Sequence, residues 1–475
     1  MMNVSGQGTN GVDRFGVSWQ GRPVLVVGLG KSGLAACRLL QQVGCRIRVT
    51  DLHDTKAMRA LANRLRESGI EQVEVGHHSR RTLEGCEVVV TSPGVPESAV
   101  PLRKAQELGI PILSEVELAF RFCVAPIVAM TGTNGKSSVV MMVQNVLNAA
   151  GRPAIACGNL GLPFSEVALS ITTNTIAVVE VSSFQLLWVE EFRPTIAVLL
   201  NLGTNHLDRH QDRSRYISAK ARVFARQTPQ DYAVLNGSDP DVVKLAERLV
   251  AQRVWFGTHE PTNRSSLRLD PATCRALSTN AQAVLQVGRL LDVPDPLVYQ
   301  VIREFPGLPH RLEYVATVHG IRLVNDAKST TPESLLYALE RLPGSVVPII
   351  GGRDKGLDFS PLKPALAQER IRGVIVIGES RTALRQLLNG SSSVQECGTL
   401  EQAVSQAMAL AHPGDTILFS PACASFDMFK NFEERGQRFK ELVYQLKNGE
   451  PVRPSAGTPD LRAHGHTGIP AHGRQ

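Results

Sequence analysis

The sequence predicts an α/β protein of three domains. Its 475 residues are more than one ordinary hydrophobic core organises, and three domains of usual size account for them. Apolar segments typical of buried strands end repeatedly in glycine, hydroxyl or charged residues and then pass into helical patterns, which is the alternation of an α/β fold. Two of these junctions are glycine loops of the kind that binds phosphate groups. Parallel sheets flanked by helices are therefore expected throughout the chain.

Composition and the positions of proline and glycine indicate how the chain divides into terminal segments and domains. Residues 1–21 are rich in Gly, Ser and Asn and are expected to be a flexible N-terminus, and residues 449–475 lack periodicity and are expected to be a disordered tail. Pro and Gly near residue 307 predict a linker. The three predicted domains are 22–115, 116–307 and 308–448.

The clearest motif is a glycine loop between a predicted strand and a predicted helix: Gly132, Thr133, Asn134, Gly135, Lys136, Ser137 and Ser138. Backbone N–H groups of such a loop face an anion, the lysine adds a positive charge, and the serine hydroxyl can ligate Mg²⁺. The pattern departs from the common one because Met130 stands where a glycine is expected. A nucleotide-binding P-loop-like domain is favoured over a glycine-rich turn without a ligand.

A second glycine loop opens the chain. Gly28, Gly30 and Gly33 form a G-x-G-x-x-G fingerprint between a predicted strand and a predicted helix, and Asp51 ends the next strand about 20 residues further on. The fingerprint predicts a Rossmann-like domain and a nucleotide ligand, most often NAD, with an empty strand–helix turn as the alternative. Ser92 and Gly94 follow a further strand at its carboxyl end, where α/β proteins bind ligands.

Two residues of the central domain, Glu180 and His206, are candidate metal ligands. Glu180 ends a predicted strand and is interpreted as a Mg²⁺ ligand beside the phosphate loop, with a helix-capping acid as the alternative. His206 follows another strand in a polar loop, which indicates a metal or phosphate site. Lys220 lies in a helical stretch and by itself predicts only a solvated lysine.

The third domain places hydroxyl and cationic residues at several strand ends. Lys328 and Thr330 follow one strand, Lys355 follows a second, and Ser425 follows a third. Clustered donors of this type favour an anionic ligand.

Composition limits the partners and the compartment. The net charge of +7 and the isoelectric point of about 9.0 are mild, and no dense Lys/Arg run indicates nucleic-acid binding. The eight cysteines are scattered without a C-x-x-C pair, which predicts free thiols in a reducing cytosol. No apolar run has membrane-spanning length and no signal peptide is recognisable. We expect a cytoplasmic monomer without nucleic-acid binding or membrane insertion.

Taken together, the motifs resemble those of the Mur ligase family, the ATP-dependent amide ligases of bacterial peptidoglycan synthesis, over about residues 22–447. Within this family the chain is most similar to members that add D-glutamate to UDP-N-acetylmuramoyl-L-alanine, and it lacks the Asp-Asn-Pro-Arg motif of the diaminopimelate-adding members. The matching motifs are Gly132-Thr-Asn-Gly-Lys-Ser, Asn159-Leu-Gly-Leu-Pro, Glu180-Val-Ser-Ser-Phe-Gln, Asn201 with His206-Leu-Asp, His310-Arg311, Asp326-Ala-Lys328-Ser-Thr330, Gly351-Gly-Arg-Asp-Lys355, and the segment from Ser420 to Gly436.

The resemblance implies a role for each domain. The first domain would bind the UDP substrate through Gly30, Lys31, Ser32, Asp51, Ser92 and Gly94, with Asn159 further along. The central domain would bind ATP through the phosphate loop and Asn280, one Mg²⁺ through Ser137 and Glu180, and a second through His206 and Lys220, the lysine being carbamylated in similar enzymes. The third domain would bring His310, Arg311, Asp326 and Lys328 to the nucleotide and hold D-glutamate through Thr330, Lys355, Ser425, Phe426 and Phe432. The residues with implied catalytic roles are Lys136, His206, Lys220, Asp326 and Lys328.

The implied reaction proceeds through an acyl phosphate, which the amine of D-glutamate attacks, and closure of the third domain on the central one is expected to exclude water. One stretch departs from the family: residues 274–280 keep Asn280 but have Ala276 and Leu277 where relatives carry His-Asn, and Asn205 stands where relatives often carry Asp. The alternatives are a related Mur or folylpolyglutamate-type ligase, a non-catalytic relative, and an NAD-binding dehydrogenase or dinucleotide-sensing module resting on the first glycine loop.

Overall fold

The computed structural model describes residues 11–203, 207–257, 267–268, 277–354, 356–390 and 393–450. The chain forms two compact units that divide between Phe305 and Pro306. The first unit contains two parallel sheets and the second contains one mixed sheet, which confirms the predicted α/β class.

The first sheet has the strand order β3-β2-β1-β4-β5 with all neighbours parallel. Its strands are β1 (Pro23–Val27), β2 (Arg46–Asp51), β3 (Gln72–Val75), β4 (Val88–Thr91) and β5 (Ile112–Ser114), and its helices are α1 (Lys31–Gln42), α2 (Lys56–Glu67) and α3 (Val100–Glu107). The strands are short apolar runs because both faces of a parallel sheet are covered. Along β1, Val24 and Val26 pack into one core and Leu25 and Val27 into another.

The helix α4 (Glu115–Phe122) joins the first sheet to the second. Leu118 and Phe122 pack into the core of the first sheet, whereas Ala119 and Phe120 pack into the core of the second. Ser114 begins the helix by accepting a hydrogen bond from the Glu117 backbone N–H at 3.2 Å. One helix therefore contributes to both cores.

The expectation of a flexible segment before residue 22 is wrong for residues 11–21. Trp19 is 1% exposed, packs edge-on against Phe122 with 5.6 Å between ring centroids, and donates its indole N–H to Asp13 at 3.0 Å. Arg14 donates its backbone N–H to the Arg121 carbonyl at 2.7 Å. An apolar anchor and a buried carboxylate thus hold the segment against α4, which composition alone does not indicate.

The second sheet has the order β12-β11-β10-β9-β6-β8-β7 and is also parallel. Its strands are β6 (Ile127–Thr131), β7 (Ala154–Gly158), β8 (Ile176–Glu180), β9 (Ile196–Leu199), β10 (Tyr232–Asn236), β11 (Gln252–Phe256) and β12 (Leu267–Arg268). Its helices are α5 (Lys136–Ala149), α6 (Phe164–Val167), α7 (Ser183–Leu186), α8 (Leu207–His210), α9 (Arg213–Ala221), α10 (Pro240–Ala246), α11 (Thr279–Leu290) and α12 (Asp295–Glu304).

The third sheet has the order β13-β14-β18-β15-β16-β17, in which only β13 runs antiparallel to its neighbour. Its strands are β13 (Glu313–Val318), β14 (Ile321–Asn325), β15 (Val346–Gly351), β16 (Val374–Ile377), β17 (Val394–Glu396) and β18 (Thr416–Phe419), and its helices are α13 (Pro332–Arg341), α14 (Leu362–Leu366), α15 (Arg381–Leu388), α16 (Leu400–Leu410) and α17 (Phe432–Lys447).

Two further findings bear on the sequence predictions. Seven of the eight cysteines lie in the described residues, and those seven are free thiols. No helix within the described ranges combines the length and the apolar character that crossing a membrane requires. The predicted tail from residue 451 onward lies outside the described residues.

Candidate active site

The phosphate loop connects β6 to α5 in a tight turn. Gly135 has φ 87° and immediately precedes the first helical residue, Lys136. A side chain at Gly135 would be strained by this backbone and would also lie 2.5 Å from the amide oxygen of Asn280. The glycine therefore permits both the turn and the close approach of α11, and Asn280 lies directly over the loop.

Asn201, which follows β9, holds the phosphate loop in place. Its backbone carbonyl accepts the N–H of Thr133 at 3.0 Å, its side-chain oxygen accepts the N–H of Asn134 at 2.8 Å, and its side-chain nitrogen donates to the Asn134 carbonyl at 3.1 Å. The sequence indicated no role for Asn201 beyond its place in a motif. The feature that could have indicated this role is its position, because Asn201 is a polar residue just past the end of a strand, and that strand neighbours the phosphate-loop strand.

Two lysine side chains converge on the loop from different helices. The Lys136 ammonium group donates to the carbonyls of Gly132 at 2.8 Å and Thr133 at 3.0 Å. Lys220, on α9, donates to the same Gly132 carbonyl at 2.9 Å. Both amino groups therefore lie at the loop and share one of its carbonyl oxygens.

The prediction that Lys220 is a solvated lysine is wrong. Its side chain is only 2% exposed. Burial lowers its pKa well below the usual range, the nearby charge of Lys136 lowers it further, and Glu180 opposes both effects. The periodicity of a short helix could not reveal this, because the residues that bury Lys220 belong to distant strands and loops.

Glu180 ends β8, directly beside Met130 of the phosphate-loop strand. One carboxylate oxygen accepts the side-chain N–H of Asn159 at 2.8 Å, and the other is buried without a hydrogen-bond partner among the described residues. The alternative reading as a helix cap is wrong, because Ser182 caps α7 in a capping box with Gln185. Glu180 is therefore a buried carboxylate, and one of its oxygens is left without a partner by the residues that the structure describes.

The residues at this edge fit a magnesium ion in part. A buried carboxylate oxygen without a partner and the hydroxyl of Ser137, in the first turn of α5, are ligand types that Mg²⁺ prefers. His206 lies outside the described residues, and within those that are described no group of three or more His, Cys, Asp or Glu side chains is arranged to hold a metal. An ammonium form of Lys220 would repel a cation here.

The first glycine loop is held by an acid and not by lysines. Asp51 accepts the backbone N–H of Leu29 at 2.7 Å and that of His53 at 2.8 Å. Burial would raise the pKa of Asp51, but these hydrogen bonds outweigh it and lower the pKa. Ser92 donates to the Gly28 carbonyl at 2.9 Å. The predicted substrate residues Gly30, Lys31, Ser32, Asp51, Ser92 and Gly94 thus share one sheet edge, whereas Asn159 lies on the second sheet beside Glu180.

The second unit brings His310, Asp326 and Lys328 together. The Lys328 backbone N–H donates to the His310 carbonyl at 3.0 Å. Asp326 accepts the Ser420 hydroxyl at 2.7 Å and the Leu312 N–H at 3.1 Å, and burial raises its pKa to about 6. His310 has φ 61°, a backbone conformation uncommon outside glycine that suggests a functional constraint.

Three of the five predicted D-glutamate residues, Ser425, Phe426 and Phe432, lie in the loop after β18 and at the start of α17. Ser425 is 3% exposed and Phe426 is 56% exposed, and the Lys328 ammonium lies 5.8 Å from the ring centroid of Phe432. Thr330 follows β14 in the same unit. Lys355 lies outside the described residues.

Arg435 connects two loops of this unit and was missed by sequence reasoning. It is 1% exposed and donates to the carbonyls of Ala327 at 2.9 Å and Cys423 at 3.0 Å. The sequence feature that could have pointed to Arg435 is its position inside the motif from Ser420 to Gly436.

Three models of the Mur ligase family match the chain in sequence order. The MurD-like N-terminal domain matches residues 22–114, the middle domain matches residues 130–284, and the glutamate ligase domain matches residues 310–423. The first two matches lie in the first unit and the third lies in the second unit.

Curated relatives are similar over nearly their whole length. A UDP-N-acetylmuramoylalanine–D-glutamate ligase from Desulfosudis oleivorans is 37% identical over 457 residues, which are 92% of this chain and 99% of the relative. The enzyme of the same name from Geotalea uraniireducens is 38% identical over 90% of this chain and 98% of the relative.

Solved structures share the fold at lower identity. The UDP-N-acetylmuramate-alanine ligase MurC from Thermotoga maritima is 18% identical with a TM-score of 0.54 over 89% of this chain and 99% of that chain. The MurF ligase from Thermotoga maritima, solved in complex with ADP, is 16% identical with a TM-score of 0.54 over 90% and 96% of the two chains. The family models in order, the relatives at full length and the shared fold lead to one conclusion: the chain belongs to the Mur ligase family.

Proposed function

We propose that the protein is an ATP-dependent ligase that joins D-glutamate to UDP-N-acetylmuramoyl-L-alanine. The observation that carries this proposal is the convergence of Lys136, Lys220 and Glu180 on the phosphate loop, in a chain whose full-length relatives bear the name of this ligase. The dehydrogenase alternative has no use for a second glycine loop with two lysines.

The reaction needs activation of a carboxylate, which is a poor acyl donor. An oxygen of the alanyl carboxylate attacks the terminal phosphorus of ATP, the bond to ADP breaks, and an acyl phosphate forms. The amine of D-glutamate then attacks the carbonyl carbon, loses a proton, and phosphate leaves as the amide forms. Lys136 and the backbone N–H groups in the first turn of α5 hold the transferring group, while Asn201, which accepts the N–H of Asn134, fixes the preceding part of the loop.

Magnesium belongs to this proposal, with Ser137 and Glu180 as the residues that would hold it. A divalent cation offsets the negative charge of the phosphates when it is bound. His206 and Lys220 are proposed for a second ion. A neutral, buried Lys220 amine is the form that can react with CO₂ to give a carbamate and a proton, and the carbamate would replace a repelling cation with an anionic oxygen. Intact-protein mass spectrometry under gentle conditions tests this, because Lys220→Met must remove a mass increase of one CO₂.

The second unit supplies the remaining groups. His310, Arg311, Asp326 and Lys328 are proposed to contact the nucleotide, and Thr330, Lys355, Ser425, Phe426 and Phe432 are proposed to hold D-glutamate. Two carboxylates and a triphosphate in one reaction require several cations, which these residues include.

The test is phosphate release from MgATP in the presence of UDP-N-acetylmuramoyl-L-alanine. D-Glutamate, L-glutamate, meso-diaminopimelate and no amine are compared, with Lys136→Ala as the control. Release that depends on D-glutamate and disappears in the variant supports the proposal. Release with another amine would assign a different ligase specificity, and no release with any amine would overturn the proposed activity.

A further inference from the structure

Arg209, at the end of α8, reaches across from the second sheet to a loop of the first. Its guanidinium group donates to the backbone carbonyls of Pro93 at 3.0 Å and Val95 at 2.7 Å, with a longer contact to Gly94 at 3.4 Å. Three successive carbonyls of the turn that follows β4 are thus held by one side chain. The planar fork of an arginine matches this arrangement, whereas the point charge of a lysine does not.

The guanidinium rests on a stack of rings that extends toward the phosphate loop. It lies 4.0 Å from the ring centroid of Phe184, and Phe184 stacks on His210 with a centroid distance of 4.9 Å and an interplanar angle of 1°. His210 also hydrogen bonds to the hydroxyl of Ser183 at 2.9 Å. Phe184 lies four residues after Glu180, so the stack is attached to the strand that carries the proposed metal ligand.

A second contact continues from the stack to the phosphate loop itself. The ring of His210 meets that of Tyr216 edge-on at 5.4 Å, and the Tyr216 hydroxyl lies 3.0 Å from the hydroxyl of Thr133. Packed side chains therefore connect Arg209 to the phosphate loop without interruption.

The turn that Arg209 holds is packed against the first glycine loop. A Cβ atom at Gly28 would lie 2.9 Å from a methyl group of Val95, and Ser92 hydrogen bonds to the Gly28 carbonyl. Movement of the Pro93–Val95 turn would therefore move the glycine loop proposed to bind the UDP part of the substrate.

We propose that Arg209 is a positioning residue that keeps the substrate-binding edge of the first sheet in register with the phosphate loop of the second. The identity of the ligand in this inference rests on the proposed function. The packed connection from the Pro93–Val95 turn through Arg209 to the phosphate loop does not depend on it. A carboxylate that must lie within bonding distance of a terminal phosphate depends on such registration, because small misplacements cost large factors in rate.

The connection is tested first without any ligand, by hydrogen–deuterium exchange. Arg209→Met should raise the exchange rate of the peptide covering residues 92–99 by about tenfold, because the turn loses its anchor. Arg38→Met is the matched control, since Arg38 pairs with Glu166 across the same two sheets at 2.7 Å but away from the loop edge. Unchanged exchange in Arg209→Met, with both variants folded by circular dichroism, would overturn the inference.

The functional consequence is tested by calorimetry and kinetics. Arg209→Met should weaken binding of UDP-N-acetylmuramoyl-L-alanine by about tenfold and lower kcat, while the KM for D-glutamate stays unchanged. Arg209→Lys should recover only a small part of the loss. If the wild type binds the UDP substrate and Arg209→Met matches it in affinity and kcat, the inference fails. If the wild type does not bind the substrate, the proposed function fails, and the exchange experiment still decides on the connection.

Discussion

The two glycine loops of the first unit each lead from a strand into a helix but meet opposite charges. At the first loop, the carboxylate of Asp51 accepts a backbone N–H of the loop. At the second, Lys136 and Lys220 both donate to the Gly132 carbonyl. The residues that create this difference, Asp51, Lys136 and Lys220, lie after the glycines or elsewhere in the chain. The glycine pattern therefore predicts a ligand-binding turn, whereas the charged residues around the turn determine which ligand it favours.

The charge difference has a direct chemical consequence. An acid at the edge of a glycine loop occupies one N–H group, and in α/β dinucleotide-binding proteins it typically binds the sugar hydroxyls while the helix N-terminus holds the pyrophosphate. Two amino groups at a glycine loop instead attract the terminal phosphates of a nucleotide. Under the proposed function, the UDP substrate binds at the first loop and the triphosphate at the second, and substitutions at either loop test this division.

The largest expected effect is a difference in ATP kinetics between substitutions of Lys136 and Lys31, the two lysines that begin the helices after the loops. Lys136→Met should lower kcat/KM for ATP by a factor on the order of a thousand, because it removes the charge that stabilises the transferring phosphoryl group. Lys31→Met, at the first loop, should change the KM for ATP less than twofold. Steady-state phosphate release measures both, and similar losses in the two variants would contradict the division between the loops.

The next effect concerns the amide that orients the phosphate loop. Asn201→Ala removes a hydrogen bond in each direction between the Asn201 side chain and the Asn134 backbone and should lower kcat/KM for ATP by about tenfold to a hundredfold. Asn236→Ala is the matched control, because Asn236 donates to the Leu200 carbonyl at 2.8 Å, next to Asn201, and its side-chain hydrogen bonds within the described part of the chain are to Leu200 and Ser238. An equal loss in both variants would indicate general damage to the sheet edge.

A smaller effect is expected at the first loop. Asp51→Asn keeps the shape of the side chain but weakens its bonds to the Leu29 and His53 N–H groups, so the affinity for UDP-N-acetylmuramoyl-L-alanine should fall by about tenfold while that for ATP is unchanged. Because these bonds lower the pKa of Asp51 from 3.8, the stability that its carboxylate contributes is present above that value and is lost as the pH falls further. Calorimetry with each ligand would reveal whether ATP binding also changes.

Glu115, in the helix that joins the two sheets, lies outside both loops, and we expect its substitution to change the stability of the fold and to have the smallest effect on the two loops. Glu115 is fully buried, burial raises its pKa from 4.5 to about 7, and one carboxylate oxygen has no partner among the described residues. Ionising this group therefore costs free energy that appears as the pH rises from 4.5 to about 7. Glu115→Gln should gain up to about 3 kcal/mol in free energy of unfolding relative to wild type between pH 5 and pH 8.

Urea denaturation of both proteins at the two pH values measures this difference. Glu166→Gln, which removes a partly exposed carboxylate of the same unit, serves as the control. A difference between Glu115→Gln and wild type that does not change with pH would show that the carboxyl group has the same protonation state in the folded and unfolded chain.

The sequence predicted the fold well because its signals are contiguous. Apolar runs such as Ile127–Thr131 end at glycine or polar residues, and this pattern alone indicates a strand and the edge where ligands bind. The same logic located the phosphate loop, Glu180 and the polar residues after β14. It failed for residues 11–21, since one buried tryptophan and one buried aspartate suffice to order a segment whose composition is otherwise typical of a flexible terminus.

The sequence by itself determined the local path of both glycine loops, because glycine, lysine and serine at fixed spacing dictate backbone conformation and donors within one turn. Only the tertiary structure decided that Lys220 is buried with a lowered pKa and that Arg209 holds the turn after β4. The atoms involved belong to residues separated by 88 and 116 positions in the chain. Burial and long-range hydrogen bonding depend on how the sheets pack, and no spacing within a single segment encodes that.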